Sequence, residues 1–320
     1  MASAEIINEI QEAMEAPKTE WKKSLFDFTA TISQPEPLLM CGGTRALSRE
    51  NLCIITGKPK VCKSTFLSAA MAAGLSARNI LNMSSPRHRK IILADTEQAP
   101  YHLKSQCDRV FRLAEIRQEL SDNFTVLALR PFTPQERYSF VMDAIEEIRP
   151  DIVAIDGVSD LLCDSNDLKE SENLVSELLA ASSKYDLGVI SILHTTPGQS
   201  KLRGHLGSCL ERKAESVVLL EKEGRGICVK PKECRNRAFT EFRFTLNDEG
   251  DPEYDSQDAD LTALDWLLAI MEKGKEYRHG ELVSLLIEKG IPEGSAKSGL
   301  KAGENQKRIL RVGRGIYTLP

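Results

Sequence analysis

Residues 57–65 read Gly57-Lys58-Pro59-Lys60-Val61-Cys62-Lys63-Ser64-Thr65, and this segment is the most informative in the chain. It matches the phosphate-binding loop pattern G-x-x-x-x-G-K-[ST] except at Cys62, which stands in place of the second glycine. The apolar run 52–55 before it predicts a buried strand, and the run 66–73 after it predicts a helix. Strand, loop and helix in this order are the context that such a match requires.

A loop of this kind followed by a helix creates a concave anion site from successive backbone N–H groups. We therefore expect all nine residues to surround the phosphates of ATP, with Lys63 reaching the β- and γ-phosphates and the Ser64 hydroxyl binding Mg²⁺. A non-glycine residue such as Cys62 in a left-handed conformation costs about 1–2 kcal/mol, but it keeps its N–H group. The loop thus predicts nucleotide binding and leaves open whether hydrolysis follows.

The composition describes a globular protein with room for one full α/β domain and a smaller one: 320 residues, 41% hydrophobic and 28% charged. A net charge of −5 excludes a uniformly basic surface but allows a local basic patch. The sequence contains no run of 18 apolar residues, and residues 1–20 lack the apolar core of a secretion signal. Eight cysteines without a C-x-x-C pair predict reduced thiols, a cytoplasmic location and no metal site.

Apolar strand patterns alternate with helical patterns from residue 52 to about residue 247, which predicts an α/β core with a mainly parallel sheet. The predicted strands are 52–56, 91–95, 124–128, 152–156, 188–194, 216–220, 226–230 and 242–246. The predicted helices are 63–73, 99–114, 134–147 and 170–185. The last three strands follow one another through short turns, so we expect them to extend the sheet in antiparallel fashion.

The remaining segments lie on either side of this core. Residues 1–45 are predicted to hold a short amphipathic helix (4–16) and an irregular arm (18–43), and residues 46–248 the core. Residues 249–259 are acidic and poor in apolar residues, which is typical of a linker. Residues 260–320 show the order helix, helix, helix, β-hairpin, which is that of a winged helix.

Acidic residues follow two of the predicted strands. The first of these strands ends in Asp95-Thr96-Glu97, and a carboxylate there would polarise a water that attacks the γ-phosphate, which makes Glu97 the candidate base. The alternative is that Asp95 or Thr96 caps the next helix. The second strand ends in Asp156, which would hold Mg²⁺ opposite Ser64, the alternative being a residue of a strand-terminal turn.

Polar and basic residues follow the later strands. His194 ends the strand 188–194, where it would contact the γ-phosphate or serve as a structural histidine. Arg203, Lys232, Arg235 and Arg237 are candidates for a finger that reaches a neighbouring subunit's nucleotide or for DNA contacts in a central channel. Solvated surface charge is the alternative for each of them.

The order of these motifs resembles that of the RecA-like ATPases, in particular the hexameric helicases and replication proteins of the DnaB and RepA type carried by mobile elements. The resemblance covers residues 38–246 and implies that Glu97 is the catalytic base, that Lys63 and Ser64 serve the phosphates and Mg²⁺, and that Asp156 faces the metal. It matches Arg235 to the finger, although Glu233 stands where the family's K-x-R motif has its lysine. It further implies ATP between subunits of a ring, for example a hexamer, or of a filament.

Residues 295–320 of the C-terminal unit are basic in an acidic chain, which suits contacts with the phosphates and major groove of DNA. Its candidate DNA-binding residues are Lys297, Lys301, Lys307, Arg308, Arg311 and Arg314. Protein contacts are the alternative use of such a unit. We therefore expect a DNA-associated ATPase of the helicase or replication type. A nucleotide-gated DNA-binding regulator with little turnover is the second hypothesis, and a small-molecule kinase the third.

Overall fold

Parallel strands joined by helical crossovers make up most of the fold, as the alternating pattern predicts. The structure is a computed structural model that describes residues 21–32, 34–117, 122–196, 198–289 and 291–320. The chain divides into two units, Met1–Gln34 and Pro35–Pro320. In the first, a short 3-10 helix spans Trp21–Ser24, and the helix predicted for residues 4–16 lies outside the described residues.

The second unit contains the remaining elements. The strands are β1 (Pro37–Cys41), β2 (Thr44–Ser48), β3 (Leu52–Gly57), β4 (Met83–Ser84), β5 (Ile91–Asp95), β6 (Phe124–Ala128), β7 (Ile152–Asp156), β8 (Gly188–His194), β9 (Ser216–Glu223), β10 (Gly226–Cys234), β11 (Phe242–Leu246), β12 (Pro252–Tyr254), β13 (Tyr277–Arg278), β14 (Leu310–Gly313) and β15 (Ile316–Thr318). The helices are α1 (Lys63–Ser76), α2 (Pro100–Ala114), α3 (Pro134–Ile148), α4 (Leu168–Tyr185), α5 (Gly204–Lys213), α6 (Ser256–Ile270), α7 (His279–Glu288) and α8 (Glu293–Asn305). A 3-10 turn spans Val158–Leu161.

The central sheet has the strand order β12-β11-β10-β9-β3-β8-β7-β5-β6 among the described residues. Strand β3 is parallel to β8 and β9, and β5, β6, β7 and β8 continue the parallel part. Strands β9 to β12 pair in antiparallel fashion. The predicted parallel core with an antiparallel extension is therefore confirmed.

Both faces of the sheet are covered, which explains why β3, β5 and β7 are continuous apolar runs with every residue buried. One core layer lies between the sheet and α1, α2 and the β1–β2 hairpin, and the other between the sheet and α3, α4 and α5. Local signals fix the helix starts: Thr133 and Glu136 form a capping box at α3, and the side chain of Asp167 accepts a hydrogen bond of 2.7 Å from the Glu170 N–H at α4.

The C-terminal part packs α6, α7 and α8 with the sheet β13-β15-β14 around a core of its own. Gly299 of α8 permits close packing against α6, because a Cβ there would lie 2.4 Å from the Cβ of Ala263. The predicted order of three helices and a hairpin is present. The small strand β13 is an addition that the sequence pattern did not indicate.

Several stretches differ from the sequence prediction. The stretch predicted as an irregular arm contains β1, which pairs with β2 and β4. The fully buried guanidinium of Arg89 anchors its start by donating to the Glu36 carboxylate and to the Pro37 carbonyl at 3.0 Å. The stretch predicted as a linker contains β12, which extends the sheet, and α6 begins already at Ser256.

Helix α5 was not predicted, although Leu206 and Leu210 have the spacing of a buried helical face. Helix α5 is short, and it begins at Gly204, directly after Arg203, in a segment whose sequence indicates only a basic residue. None of the described helices is long and apolar enough to cross a membrane.

Candidate active site

The carboxyl ends of the parallel strands bring the predicted chemical residues to one edge of the sheet. Gly57 at the end of β3 pairs with His194 at the end of β8, and Asp95 at the end of β5 pairs with Asp156 at the end of β7. Parallel strands that end in register place the residues that follow them side by side. Lys63, Ser64, Glu97, Asp156 and His194 therefore lie in one region, although 131 positions separate the first from the last (194 − 63).

The loop between β3 and α1 has the backbone form that an anion site needs. Gly57 has φ 153°, and a Cβ there would lie 2.4 Å from the carbonyl oxygen of Leu220, so no other residue fits. Lys60 and Cys62 have φ 64° and 59°, in the left-handed region. Cys62 thus adopts the conformation that glycine adopts at no steric cost. No side chain caps the start of α1, so Cys62 leaves the first N–H groups of the helix for an anion.

Lys63 lies over this loop. It is buried, and its ammonium donates to the carbonyl oxygens of Gly57 at 3.1 Å and Lys58 at 2.7 Å. Burial lowers the pKa of Lys63, and the nearby carboxylates of Glu97 and Asp156 counteract this shift. A cation held at the mouth of an N–H-rich loop is placed to bind a phosphate.

Ser64 and Asp156 form a pair of oxygen ligands next to the loop. The Ser64 hydroxyl hydrogen-bonds the buried Asp156 carboxylate, and Gln106 Nε2 lies 3.4 Å from Asp156 Oδ2. Burial raises the pKa of Asp156 to about 6, although these hydrogen bonds lower it. A hydroxyl and one carboxylate fit Mg²⁺, which is usually bound through one or two carboxylates together with the phosphates of its substrate. These two residues would hold the ion.

Glu97 stands beside this pair in an acidic setting. Its side chain is 45% exposed, and its Oε1 lies 4.0 Å from His194 Nε2. Partial burial raises the pKa of Glu97 to about 7, and the negative charges of Asp156, Asp160 and Asp95 add to the shift. A carboxylate with this pKa is suited to general-base catalysis near neutral pH.

Asp95 and Thr96 have structural contacts of their own. Asp95 Oδ1 accepts hydrogen bonds from the N–H groups of Glu97 at 3.2 Å and Gln98 at 2.7 Å. Ala99, rather than Asp95 or Thr96, is the capping residue of α2, and no side chain caps this helix. Neither Asp95 nor Thr96 therefore caps α2, and Asp95 instead stabilises the turn that carries Glu97.

His194 lies half-buried at the end of β8. Burial lowers the pKa of His194, and the positive charges of Lys63 and Arg203 add to the shift, while the Gly57 backbone and Asp160 counteract it. The net shift favours the neutral imidazole. Its buried Nδ1 has no hydrogen-bond partner among the described residues. A structural histidine normally has its buried nitrogens satisfied, whereas this one leaves a polar atom unpaired at the site.

The candidate finger residues lie at two different edges of the sheet. Arg203 precedes α5, and its N–H donates to the His194 carbonyl oxygen at 3.0 Å, which places it at the carboxyl edge beside the site. Arg235 lies at the opposite edge, where its N–H donates to the Glu215 carbonyl oxygen at 2.9 Å. Lys232 is ion-paired to Glu211. Arg235 and Lys232 thus lie away from the site of their own chain.

Sequence reasoning missed Gly157. It has φ 96°, and a Cβ there would lie 2.3 Å from Thr96 Oγ1 and 3.1 Å from Glu97 Cγ. A glycine is therefore required where the turn after β7 passes under Glu97. The signal was available, because a glycine directly after a strand-terminal aspartate often marks a left-handed turn.

A cavity of about 400 Å³ adjoins the loop. Lys58, Val61, Thr195, Gln199 and Lys222 are among the residues that line it. The buried Thr195 hydroxyl has no partner among the described residues. The cavity offers room for a further group next to the anion site.

The six candidate DNA-binding residues of the C-terminal part are all exposed. Lys297 pairs with Glu293 at 2.6 Å on α8, and Arg308 has only a contact of 4.0 Å with Asp265. Lys301, Lys307, Arg311 and Arg314 have no ion pair to any described residue. The surface around α8 and the β14–β15 hairpin is therefore basic and solvent-accessible.

The comparisons with known proteins add no family to this picture. No protein-family model matches the chain, and no curated protein is significantly similar to it.

Proposed function

We propose that this protein is a Mg²⁺-dependent ATPase with a RecA-like core that works on DNA as a helicase-like or replication protein. The observation that carries the proposal is the convergence of the loop Gly57–Thr65, the Ser64–Asp156 pair and Glu97 at one sheet edge. An anion cradle, a pair of metal ligands and a carboxylate with a pKa of about 7 are what phosphoryl transfer to water needs.

Each residue has a role in this proposal. The loop N–H groups and Lys63 bind and orient the phosphates, and the cavity beside the loop takes the nucleoside. Bound Mg²⁺ would supply positive charge to the phosphate oxygens. Glu97 takes the proton of the attacking water, and neutral His194 contacts the terminal phosphate through its Nε2.

Assembly of several copies would complete the site. Arg235 follows Cys234 of β10. Cys234 pairs with Ser216 of β9, and Ser216 pairs with Cys53 of β3. The site begins at Gly57, four residues further along β3. That separation is about 13 Å along the sheet. Arg235 therefore serves a neighbouring copy's nucleotide, and Arg203 stays with the nucleotide of its own chain. This role of Arg235 requires a ring or filament in which ATP lies between subunits.

The C-terminal part would be a winged helix that directs the ATPase to DNA. Its exposed cations lie on α8 and the following hairpin, the elements that enter the major groove and contact the backbone in such modules. A protein with this charge distribution binds through phosphates, so its affinity for DNA falls with salt.

Steady-state ATPase assays with and without single- and double-stranded DNA test the proposal. We expect DNA-stimulated, Mg²⁺-dependent turnover that Glu97→Gln lowers by about 10²–10⁴-fold, while ATP binding persists. Lys63→Ala should lose ATP binding itself.

The second candidate function, a nucleotide-gated regulator, predicts different results in the same assays. A nucleotide-gated DNA-binding regulator would bind ATP without turnover, and Glu97→Gln would change nothing. Its support is Cys62, since a side chain in the loop occupies space that glycine leaves free. ATP-dependent DNA affinity without phosphate release would decide for the regulator.

A further inference from the structure

A second polar cleft, which shares no residue with the phosphate-binding loop, lies between the α/β core and the C-terminal helices. Its volume is about 310 Å³. The core contributes the Gly42-Gly43 turn between β1 and β2, Asn82 and the segment after β10, and the C-terminal part contributes α6 and Arg308. None of these residues belongs to the ATPase site.

The cleft offers an aromatic surface. Trp266 of α6 is half-buried there and faces the turn at Gly43, where a Cβ would lie 3.9 Å from the indole Cζ2. Gly43 has φ 75°, so the turn favours glycine, which leaves open the space beside the ring. The Lys289 ammonium lies 6.0 Å from the indole centroid. An indole between a glycine turn and a cation is suited to stacking with a planar group.

The cleft also offers positive charge that the described residues do not neutralise. Arg237 is exposed and has no hydrogen bond or ion pair with any described residue, and Arg308 has only its contact of 4.0 Å with Asp265. Among the residues that line the cleft, the two cations Arg237 and Arg308 face one carboxylate, that of Asp265. An occupant should therefore carry negative charge as well as a planar ring.

We propose that this cleft binds one nucleotide of a single-stranded nucleic acid, with its base against Trp266 and its phosphates against Arg237 and Arg308. Aromatic platforms flanked by cations are the usual basis of single-strand binding. Bases of a duplex are paired and stacked on one another, so they cannot lie on the indole. The site goes beyond ATP hydrolysis and does not depend on it, because it shares no residue with the loop.

The chain provides its own reporter for this site. Trp21 and Trp266 are its two tryptophans, so in the full-length Trp21→Phe variant all indole fluorescence comes from Trp266. Oligothymidylate, dTMP and a blunt DNA hairpin are titrated in the absence of ATP. We expect oligothymidylate to quench Trp266. The hairpin can reach Arg308, which the cleft shares with the basic C-terminal surface, but its paired bases do not lie on the indole, so it should cause no quenching. Quenching by dTMP as strong as that by the oligonucleotide would overturn the strand assignment in favour of a free nucleotide.

Affinity measurements test the contacts separately. With labelled oligothymidylate, Arg237→Ala should weaken binding about tenfold and lower the slope of log K against log salt by about 0.7, as expected for one lost phosphate contact. Trp266→Ala should weaken it about 5–100-fold. Arg225→Ala, a matched exposed arginine in the β9–β10 turn, is the control and should have no effect. Equal affinities of the Arg237 and Arg225 variants would overturn the proposal.

Lys63→Ala separates this proposal from the proposed ATPase function. It should leave the quenching of Trp266 by oligothymidylate unchanged. If the wild-type protein neither binds nor hydrolyses ATP, quenching still supports the cleft. If turnover is present and oligothymidylate causes no quenching, the cleft proposal is wrong while the ATPase stands.

Discussion

The hydroxyl of Thr96 lies 3.0 Å from Oδ2 of Asp160, and this contact joins the turn after β5 to the turn after β7. The Thr96 backbone N–H also donates to the Asp156 carbonyl oxygen at 3.2 Å. Arg137 continues the connection, because its Nη1 lies 3.8 Å from Asp160 Oδ2. Glu97 follows Thr96 directly, so these contacts fix the position of its backbone relative to the proposed metal ligand Asp156.

Replacement of Thr96 by valine tests this positioning role. Valine keeps the shape of the side chain and removes the hydroxyl, which weakens the link between the turns by about 0.5–1.5 kcal/mol. We expect kcat to fall about 10–100-fold because a small displacement of a catalytic group has large effects on rate, while the Kd for ATP stays unchanged. Thr125→Val on β6 is the control. An unchanged kcat in the Thr96 variant would show that Glu97 does not depend on this contact.

The pH dependence of turnover should report on Glu97. A general base must be deprotonated, so kcat/KM should rise about tenfold per pH unit below the pKa of about 7 and level off above it. Asp160→Asn removes one of the negative charges that raise this pKa, so the midpoint should move to lower pH. A midpoint that stays in place, measured from pH 5 to 9, would exclude Glu97 as the titrating group.

The same shift links stability to pH. The pKa of Glu97 is raised from a usual value of 4.5 to about 7 on folding, so the folded protein binds this proton more tightly. The stability that Glu97 contributes through its proton is therefore fully present below about pH 4.5 and is lost as the pH rises through about 7. In urea unfolding, Glu97→Gln should be stabilised relative to the wild type at pH 8 and much less at pH 5. An equal difference at both pH values would contradict the raised pKa.

Cys62 can be tested with a pair of substitutions. It has φ 59° and ψ 32°, a conformation that glycine adopts freely and β-branched residues almost never adopt. Cys62→Gly should raise stability by about 1 kcal/mol, less the burial lost with the thiol, and should keep ATP binding. Cys62→Val should lose both. Thermal unfolding and ATP titration measure the effects, and loss of ATP binding in the glycine variant would show that the thiol itself contributes to the site.

Much of the core could be predicted because its strands are buried on both faces. The bounds of β5, β7 and β8 agree with the sequence pattern, since continuous apolar runs flanked by polar turns leave little choice of register. The bounds of β6 and β11, which are less buried, agree as well. The same runs indicated which residues meet at the carboxyl edge. The order of strands in space did not follow from the pattern, but parallel direction alone was enough to bring Glu97 and Asp156 together.

The parts that could not be predicted depend on distant partners. Strand β1 lies in a stretch with two prolines, and its start is fixed by Arg89, 53 positions after Glu36 (89 − 36). The position of Gly157 under Glu97 depends on the backbone of a neighbouring strand end. Arg203 and Arg235 look equivalent in sequence, and only the antiparallel turn back through β10 sends Arg235 to the other edge. Contacts of this kind carry no local signal.

Asp251 provides the last prediction, because it lies where the sequence indicated a free linker. Arg112 donates to it twice, from Nε at 2.9 Å and Nη2 at 2.7 Å, and Arg109 Nε lies 3.3 Å from Oδ1. Asp251 is buried and directly precedes β12. Its contacts with Arg109 and Arg112 therefore hold the start of this connection against α2. Asp251→Asn should lower the free energy of unfolding by about 1.5–3 kcal/mol, the usual contribution of hydrogen bonds to a charged group.

The matched control is Asp248→Asn, an exposed aspartate in the same turn, which should change stability by less than about 0.5 kcal/mol. Urea unfolding measures both variants. If the connection were a free linker, the two substitutions would have the same small effect. A clear difference means that the C-terminal part is attached to the core through an ordered edge strand, whose start is held against α2 by Asp251.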